Sequence, residues 1–330
     1  MEIAITEWAL VTDSSSVGAV RRSAATIARR IGFNETRAGE LALLATEAAQ
    51  NVLVHGGGGQ VLLTGAAEGA GATARVVAID QGPGIANVAE AMNDGFSTAG
   101  TMGGGLGAMK RMSTTLEIFT GRGGTILMAE LTERAHQALL PLAGFVVPYP
   151  GETVSGDAWH AYSTRDRTIV IIADGLGHGM GAADAAQEAI AIFRKRQESS
   201  PAQILEFEHD ALRKTRGAVA AVAEIRRAEG TLLFAGVGNI SAVILSPGGS
   251  RRLLSHNGTL GAFSPRIQEY RCEWPSGAVL VLHSDGLHSR WDLDSYSGLI
   301  SRHPAVIGGA LLRDFRRERD DASVVVVKAA

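Results

Sequence analysis

Apolar residues recur at helical spacing in two stretches near the start of the chain. Residues 17–30 form the first stretch, and Asp13 lies where its side chain can cap the helix. The second runs from Asn34, a suitable N-cap, to His55, and a glycine tract at residues 56–59 ends it. The pattern therefore predicts two amphipathic helices.

Apolar runs bounded by turn residues predict strands after these helices. In the first half of the chain, strands are predicted at residues 61–64, 73–79, 116–120 and 125–131, and short helices at 87–93 and 107–113. These elements predict an α/β sandwich of about 130 residues, a usual size for one domain.

A proline-containing stretch with no strong periodicity, residues 135–150, precedes a different pattern. We place the domain boundary there, which gives domains 1–136 and 137–330. Strands are predicted at residues 159–163, 168–173, 218–226, 231–237, 241–246, 251–255, 278–284 and 322–328, and helices at 181–196, 202–216, 297–302 and 305–317. Long helices among many antiparallel strands predict a second α/β (α+β) sandwich, built on two central sheets.

Composition is that of an ordinary globular chain. Of 330 residues, 45% are hydrophobic and 20% are charged, and the net charge of −3 argues against a nucleic-acid partner. The one cysteine, Cys272, cannot form an internal disulfide, which fits a reducing compartment. No apolar run approaches the roughly 18 residues of a membrane span, and the start lacks the pattern of a signal peptide. We therefore expect a soluble cytoplasmic protein without membrane insertion.

Glycine is enriched and clustered, with 41 glycines among 330 residues. The clusters lie at residues 56–59, 82–107, 121–124 and 175–181. Clustered glycine is typical of tight turns and of backbone that closely approaches a ligand.

Four features in the first half predict a nucleotide site. Glu47 and Asn51 lie four apart on one helix face and suit a general base beside a metal ligand. Asp80 ends a strand before a glycine turn, where it can accept a hydrogen bond from an adenine amino group. Residues 103–107, Gly-Gly-Gly-Leu-Gly, lead into a helix whose N-terminal amides can bind phosphate. Thr125 adds a hydroxyl on the last strand.

These features, with the run DQGPGIANVAEAMNDGFSTAGTMGGGLGAMKRM, resemble the GHKL ATPase superfamily in its small serine-kinase branch. That branch contains the anti-sigma-factor kinases and the stressosome switch kinase. The resemblance covers about residues 5–133 and implies a GHKL (Bergerat) α/β sandwich that binds ATP and Mg²⁺. It implies that Glu47 activates a target Ser or Thr hydroxyl and that Asn51 ligates Mg²⁺. It also implies nucleotide contacts by Asp80, Gly82, Gly84, Gly103, Gly104, Gly105, Gly107 and Thr125. Lys110 fits either a phosphate contact or an exposed helix position.

The second half carries acids at the ends of apolar strands. Asp157, Asp174 and Asp285 each lie beside small residues, and Asp320 and Asp321 precede the final strand. Convergent carboxylates are costly unless they hold cations, and hard oxygen ligands favour Mg²⁺ or Mn²⁺. A single Asp-Gly pair indicates only a turn. The ordered set predicts a two-metal site that activates a water for attack on phosphorus.

This ordered set resembles the PPM (PP2C-like) Ser/Thr phosphatases in their SpoIIE-type bacterial branch, over about residues 140–328. The segments DGLGHG and GVGNI are most similar to the stressosome feedback phosphatase. The resemblance implies a PPM-type αββα sandwich with two Mn²⁺ or Mg²⁺ ions. The implied ligands are Asp157, Asp174, the Gly175 carbonyl, Asp285 and Asp320, with Asp321 as the alternative to Asp320. The phosphate-gripping arginine of eukaryotic relatives has no clear match, so phosphate recognition is unassigned.

Together the resemblances imply a bifunctional switch. One domain phosphorylates a Ser or Thr of a small regulatory protein and the other removes the phosphate. They imply a STAS-domain (anti-anti-sigma-like) phosphoprotein as partner, together with sigma-factor or stressosome-type regulators. The alternative is that the first domain is an ATP-gated binding module tethered to an active phosphatase. A third alternative, a topoisomerase-like or chaperone ATPase, is disfavoured by the length of the chain and by the presence of the phosphatase half. Related kinases often dimerise, and the oligomeric state, including a homodimer, is left open.

Overall fold

The computed structural model describes residues 2–68, 71–92, 105–121, 123–133, 140–262 and 266–329. The chain divides into two compact units. The N-terminal unit comprises residues 3–136 and 297–314, and the C-terminal unit comprises residues 1–2, 137–296 and 315–330. Within the described ranges, no helix is long and apolar enough to cross a membrane.

Capping residues set the first two helices of the N-terminal unit. The Asp13 side chain accepts a hydrogen bond from the Ser16 backbone N–H, and the Asn34 side chain accepts one from that of Arg37. Both predicted helices are confirmed. The elements are β1 (Glu2–Val11), α1 (Ser14–Arg30), α2 (Glu35–Val54), β2 (Gly59–Glu68), β3 (Gly71–Asp80), α3 (Val88–Ala91), α4 (Gly105–Met112), β4 (Thr115–Gly121), β5 (Gly124–Thr132), a 3₁₀ turn (Leu299–Ser301) and α7 (Pro304–Phe315).

The strands of this unit follow the order β1-β2-β3-β5-β4, and β3 pairs antiparallel with both β2 and β5. Helices α1 and α2 cover one face of the sheet, where Ile27, Leu44 and Val76 join one buried core. The sequence did not predict β1, because its apolar residues are consecutive in places instead of alternating.

Helix α7 packs on the opposite face of the same sheet. A side chain at Gly309 would approach Ile126, Ile79 and Val77, which alternate with the residues that face α1 and α2. The prediction of one boundary near residue 137 did not include this contribution of residues 297–314 to the N-terminal unit.

The C-terminal unit contains two sheets, with orders β13-β10-β9-β8-β7 and β12-β11-β14-β15-β6. Phe193 of α5 and Leu205 of α6 share a buried core with strands of the first sheet. The elements are β6 (Leu142–Val147), β7 (Asp157–Ser163), β8 (Arg167–Gly175), α5 (Met180–Arg196), α6 (Pro201–Leu212), β9 (Ala218–Arg226), β10 (Thr231–Val237), β11 (Ser241–Ser246), β12 (Gly249–Leu253), β13 (Tyr270–Glu273), β14 (Val279–His283) and β15 (Ala322–Lys328). The mixed α/β class is confirmed, whereas β6 and β13 were not predicted.

Two candidate active sites

The N-terminal unit has a cavity of about 1000 Å³ beside α2, β3 and the start of α4. Most of the sequence-predicted nucleotide residues are brought together there. The predicted residues among its lining are Glu47, Asn51, Asp80, Gly84, Gly105 and Thr125. Gly107 is buried in α4, and Gly82 lies in the loop after Asp80. Gly103 and Gly104 lie outside the described residues.

Asp80 holds its own loop through one carboxylate oxygen. Its Oδ1 accepts hydrogen bonds from the backbone N–H groups of Gly82, at 2.9 Å, and Thr125, at 3.1 Å. The other oxygen makes none of these bonds, so it can face a donor on a ligand. Gly84 has a φ of +79°, and a side chain there would collide with the Gly121 carbonyl. Glycine at this position therefore permits the close approach of the loop to β4.

The first turn of α4 lies directly against the pair on α2. A side chain at Gly105 would come within 2.9 Å of Glu47 Oε2 and 4.0 Å of Asn51 Oδ1. Asn51 Nδ2 donates a weak hydrogen bond to the sulfur of Met109 at 3.9 Å. A carboxylate and an amide oxygen thus lie beside the helix end that carries free backbone N–H groups. This arrangement suits a phosphate with a general base next to it.

The cation of α4 that lines the cavity was not predicted, and for Lys110 the sequence left a phosphate contact and an exposed position open. Arg111 is among the described residues that line the cavity, and Lys110, which is exposed, is not. Arg111 is three residues after Ala108, which also lines the cavity, so the helical period places both on one face. Because the face of α4 that lines the cavity is set by tertiary packing, the sequence alone carries no signal that identifies Arg111.

The C-terminal unit brings its acids together at the ends of β7, β8 and β14. Asp157 and Asp174 lie opposite each other on neighbouring strands. A second cavity, of about 510 Å³, is lined by Asp174, Asp285 and Asp320. The Asp157 side chain is buried, with 3% exposure, and its Oδ2 accepts hydrogen bonds from the hydroxyls of Ser284, at 2.5 Å, and Ser323, at 2.7 Å.

Burial and mutual repulsion perturb these carboxylates. Burial first, and then the charges of Asp157, Asp285 and other acids, raise the pKa of Asp174 to about 9. Burial raises the pKa of Asp157 to about 7, although its two serine hydroxyls act in the opposite direction. Burial, followed by the charge of Asp285, raises the pKa of Asp320. A divalent cation would remove this electrostatic cost, so the donor set fits Mg²⁺ or Mn²⁺.

The two consecutive acids before β15 have different environments. Asp320 lines the cavity. Asp321 is buried: its Oδ1 accepts a hydrogen bond from the Tyr149 N–H at 2.8 Å, and its Oδ2 has no hydrogen-bond partner among the described residues. This geometry favours Asp320 as a ligand that faces the cavity, with Asp321 behind it.

The remaining predicted ligand, Gly175, ends β8. Its N–H donates to the Gly156 carbonyl, and a side chain there would collide with the backbone of Ala182. In the part of the chain that is described, no group of three or more His, Cys, Asp or Glu side chains is already arranged to hold a metal ion. The metal ligand set therefore stays a prediction.

Sequence reasoning missed several polar residues around the acids. Asn239 Nδ2 donates to Asp285 Oδ2 at 2.8 Å and so fixes that carboxylate. Asn257 and Arg319 also line the cavity. Asn239 lies in the segment GVGNI that carried the resemblance, which could have identified it. Asn257 and Arg319 lack such a signal.

Comparisons with known proteins relate each half of the chain to a known family. Residues 164–330 match the family "Stage II sporulation protein E (SpoIIE)", and residues 10–130 match "Histidine kinase-like ATPase domain". Serine/threonine-protein kinase RsbT of Bacillus subtilis (strain 168) is 31% identical over 126 residues, which are 38% of this chain and 90% of that protein. Phosphoserine phosphatase RsbX of the same organism is 24% identical over 139 residues, 42% of this chain and 70% of that protein.

Solved structures add evidence on the fold. A chain from a structure described as "The bacterial stressosome: a modular system that has been adapted to control secondary messenger signaling" aligns with a TM-score of 0.55 and 29% identity, over 58% of this chain and all of that one. RsbX in complex with magnesium aligns with a TM-score of 0.52 and 18% identity, over 65% of this chain and all of that one. At that identity, the second alignment shows the fold alone.

Fold and sites together define a kinase-like ATPase domain joined to a PP2C-like phosphatase domain. The chain belongs to the SpoIIE family through residues 164–330, and its first half belongs with the histidine kinase-like ATPase domains that RsbT represents. Two kinds of domain from the Rsb partner-switching family are thus combined in one polypeptide.

Proposed function

We propose that this protein is a bifunctional switch enzyme of a cytoplasmic partner-switching pathway. Residues 1–136 act as a Ser/Thr kinase domain, and residues 137–330 as a metal-dependent phosphoprotein phosphatase domain. The observation that carries the proposal is the pair of chemically distinct cavities in one chain. One has Glu47 and Asn51 beside a helix N-terminus, and the other has clustered acids.

In the kinase half, each polar residue has a distinct task. Asp80 accepts a hydrogen bond from the adenine amino group on the carboxylate oxygen that does not bond its own loop. The N-terminus of α4 and the Arg111 side chain bind the negatively charged phosphates. Glu47 accepts the proton of the target hydroxyl. When bound, ATP would supply the phosphoryl group and Mg²⁺, held by Asn51, would neutralise charge. Gly103 and Gly104 are proposed as further nucleotide contacts, on the family resemblance alone.

In the phosphatase half, the chain holds and orients carboxylates. Asp157, Asp174, Asp285, Asp320 and the Gly175 carbonyl are the proposed ligands. Serine hydroxyls fix Asp157, and Asn239 fixes Asp285. Two Mg²⁺ or Mn²⁺ ions, when bound, would supply an activated water and offset phosphate charge. No side-chain nucleophile is required.

The proposed partner is a STAS-domain phosphoprotein, acting with sigma-factor or stressosome-type regulators. Its support is the similarity to a kinase and to a phosphoserine phosphatase of the Rsb family, together with the match to a stressosome protein. The two domains act on one phosphosite or on two, and the test below separates these cases.

The test uses the Asp285→Asn variant, which we expect to lack phosphatase activity. It is incubated with ATP, Mg²⁺ and STAS-domain proteins of the same cell, and phosphosites are mapped by mass spectrometry. We expect one Ser or Thr phosphate that requires Glu47 and that the wild-type protein removes with Mn²⁺. Glu47→Gln is compared with Glu40→Gln, since Glu40 lies on the same helix and pairs with Arg37.

The other outcomes favour other functions. A phosphate that the wild-type protein cannot remove would mean that the two halves serve different targets. If no protein is phosphorylated although ATP promotes partner binding, the first half is an ATP-gated binding module tethered to the phosphatase. Equal loss of kinase activity in both glutamate variants would remove the proposed role of Glu47.

A further inference from the structure

Two arginines beside the acid cavity have no role in the chemistry described above. Arg319 lines the cavity with Asp174 and Asp285 and directly precedes Asp320. Arg216 lies against the first turn of α5, where a side chain at Gly181 would come within 2.6 Å of its Nε. Within the described ranges, neither guanidinium makes a hydrogen bond or an ion pair. Both are exposed.

The neighbouring arginines are placed differently. Arg316 donates from Nη2 to the Pro148 carbonyl at 3.0 Å, and so it braces the chain before β7. Arg317 is exposed and is absent from the described lining of the cavity. Of the three arginines that precede Asp320, only Arg319 both lines the cavity and keeps its full set of donors available.

A phosphorylated side chain needs a cation on the protein side of this cavity. It carries a charge of about −1.5 to −2 at pH 7 and approaches a wall built of carboxylates. Bound cations would offset those carboxylates, but the outer phosphate oxygens still require donors. A guanidinium presents two parallel N–H groups that match two phosphate oxygens.

We propose that Arg319 binds the phosphate of the phosphoprotein substrate, the task for which the sequence supplied no residue. The proposal rests on the phosphatase function proposed above. Arg216 is not assigned this task, because its guanidinium packs against Gly181 and Gly177 and it is not among the described residues that line the cavity. The absence of a side chain at Gly181 leaves the space that Arg216 occupies.

The test compares Arg319→Gln, Arg319→Lys, Arg216→Gln and, as a control for lost charge, Arg317→Gln. KM and kcat are measured with Mn²⁺ for the phosphoprotein and for p-nitrophenyl phosphate. For Arg319→Gln we expect KM to rise about 10- to 100-fold with both substrates, the range for losing charge-assisted hydrogen bonds, with a smaller change in kcat. Arg319→Lys should raise KM less than Arg319→Gln does, because lysine keeps the positive charge but lacks the two parallel N–H groups of a guanidinium.

Two binding measurements separate phosphate recognition from an effect on the metal. Calorimetric titration with inorganic phosphate in the presence of Mn²⁺ should show the same loss of affinity in Arg319→Gln. Titration of metal-free protein with Mn²⁺ should give wild-type affinity. The phosphate titration also tests Arg319 if the wild-type protein shows no turnover, in which case the phosphatase proposal fails by itself.

Three results would overturn the assignment. The first is unchanged KM and unchanged phosphate affinity in Arg319→Gln. The second is an equal rise in KM in Arg317→Gln, which would indicate an effect of general charge, or a larger rise in Arg216→Gln, which would indicate that Arg216 binds the phosphate. The third is a parallel loss of Mn²⁺ affinity in Arg319→Gln, which would mean that Arg319 acts on the metal site.

Discussion

Asp157 and Asp174 lie opposite each other on paired strands; Asp157 is buried, and Asp174 is half-buried at the wall of the cavity. Burial and neighbouring acids raise their pKa values to about 7 and about 9, against 3.8 for a free aspartate. In the absence of metal, the folded state therefore binds protons more tightly than the unfolded state does. When no cation is bound, ionisation of these carboxyl groups therefore lowers the free energy of unfolding.

We predict that metal-free protein loses stability as the pH rises from about 4 to about 9, because the unfolded state binds fewer protons over this window. Mg²⁺ or Mn²⁺ should reverse the loss, since a cation favours the ionised carboxylates. The measurement is thermal unfolding after chelation, at about pH 6 and about pH 9, with and without Mn²⁺. Asp174→Asn, which removes the acid of this pair with the larger pKa shift, should flatten the pH dependence. A metal-free protein that is equally stable at both pH values would contradict the prediction.

At the scale of elements, Arg167 ties the C-terminal end of α5 to the sheet. Its Nη1 donates to the carbonyl of Gln197, the C-cap of α5, and its Nε donates to Glu224 Oε1 at 2.8 Å. Glu224 is 2% exposed. Although burial raises the pKa of Glu224, hydrogen bonds from Arg167 and Arg226 lower it overall. The carboxylate is therefore kept ionised by the arginines around it.

We predict that Arg167→Met lowers the free energy of unfolding by about 2–3 kcal/mol, because a buried carboxylate loses a charge-assisted donor. Equilibrium urea unfolding measures the change. Arg165→Met is the matched control, since Arg165 is exposed in the preceding turn, and it should have little effect. If both variants lose the same stability, the tie between α5 and the sheet is not responsible.

Sequence patterns predicted elements best where a continuous apolar run meets clear turn residues. The predicted bounds of β9, β10, β11 and β15 agree with the structure for this reason. Strand β6 was missed because prolines flank it at residues 141 and 148, and it is recognisable only through its pairing with β15. Strand β13 is short, and its pairing with β10 is what defines it.

The residues of the candidate sites also differ in how far the sequence predicts them. Residues within local motifs, such as Glu47, Asp80 and Asp174, could be named from the sequence, because a motif fixes its own backbone geometry. Arg319 belongs to no motif, and Arg111 lies in the run that carries the resemblance but was not singled out within it. Which of several neighbouring cations faces a cavity depends on the rotation of a helix or the course of a loop, and these follow from tertiary packing.

At the scale of the whole molecule, the N-terminal unit recruits a helix from far along the chain. Polar contacts anchor both ends of α7: the His303 N–H donates to Glu117 Oε2 at 3.0 Å, and Gln81 Nε2 donates to the Arg313 carbonyl at 3.3 Å. Between them, the middle of α7 covers the face of the sheet that α1 and α2 leave free. β3 shows burial at both even and odd positions, which is the pattern of a strand covered on both faces.

We predict that residues 1–136 alone are much less stable than the same residues joined to residues 297–315 by a flexible linker. Without α7, the buried side chains of Val77, Ile79 and Ile126 would lose their cover. Burying each is worth about 1.5–3 kcal/mol, and their sum approaches the 5–15 kcal/mol that typically separates folded from unfolded states.

Thermal unfolding and ATP titration of the two fragments measure the difference. In the full chain, Gly309→Leu provides a second test, because its added atoms would press on Ile126 and should lower stability by about 1–3 kcal/mol through overpacking. Gly39→Leu is the control, since a side chain at that position of α2 meets open space. If the short fragment unfolds at the same temperature and binds ATP as tightly as the linked one, α7 does not belong to the folding unit of the ATPase domain.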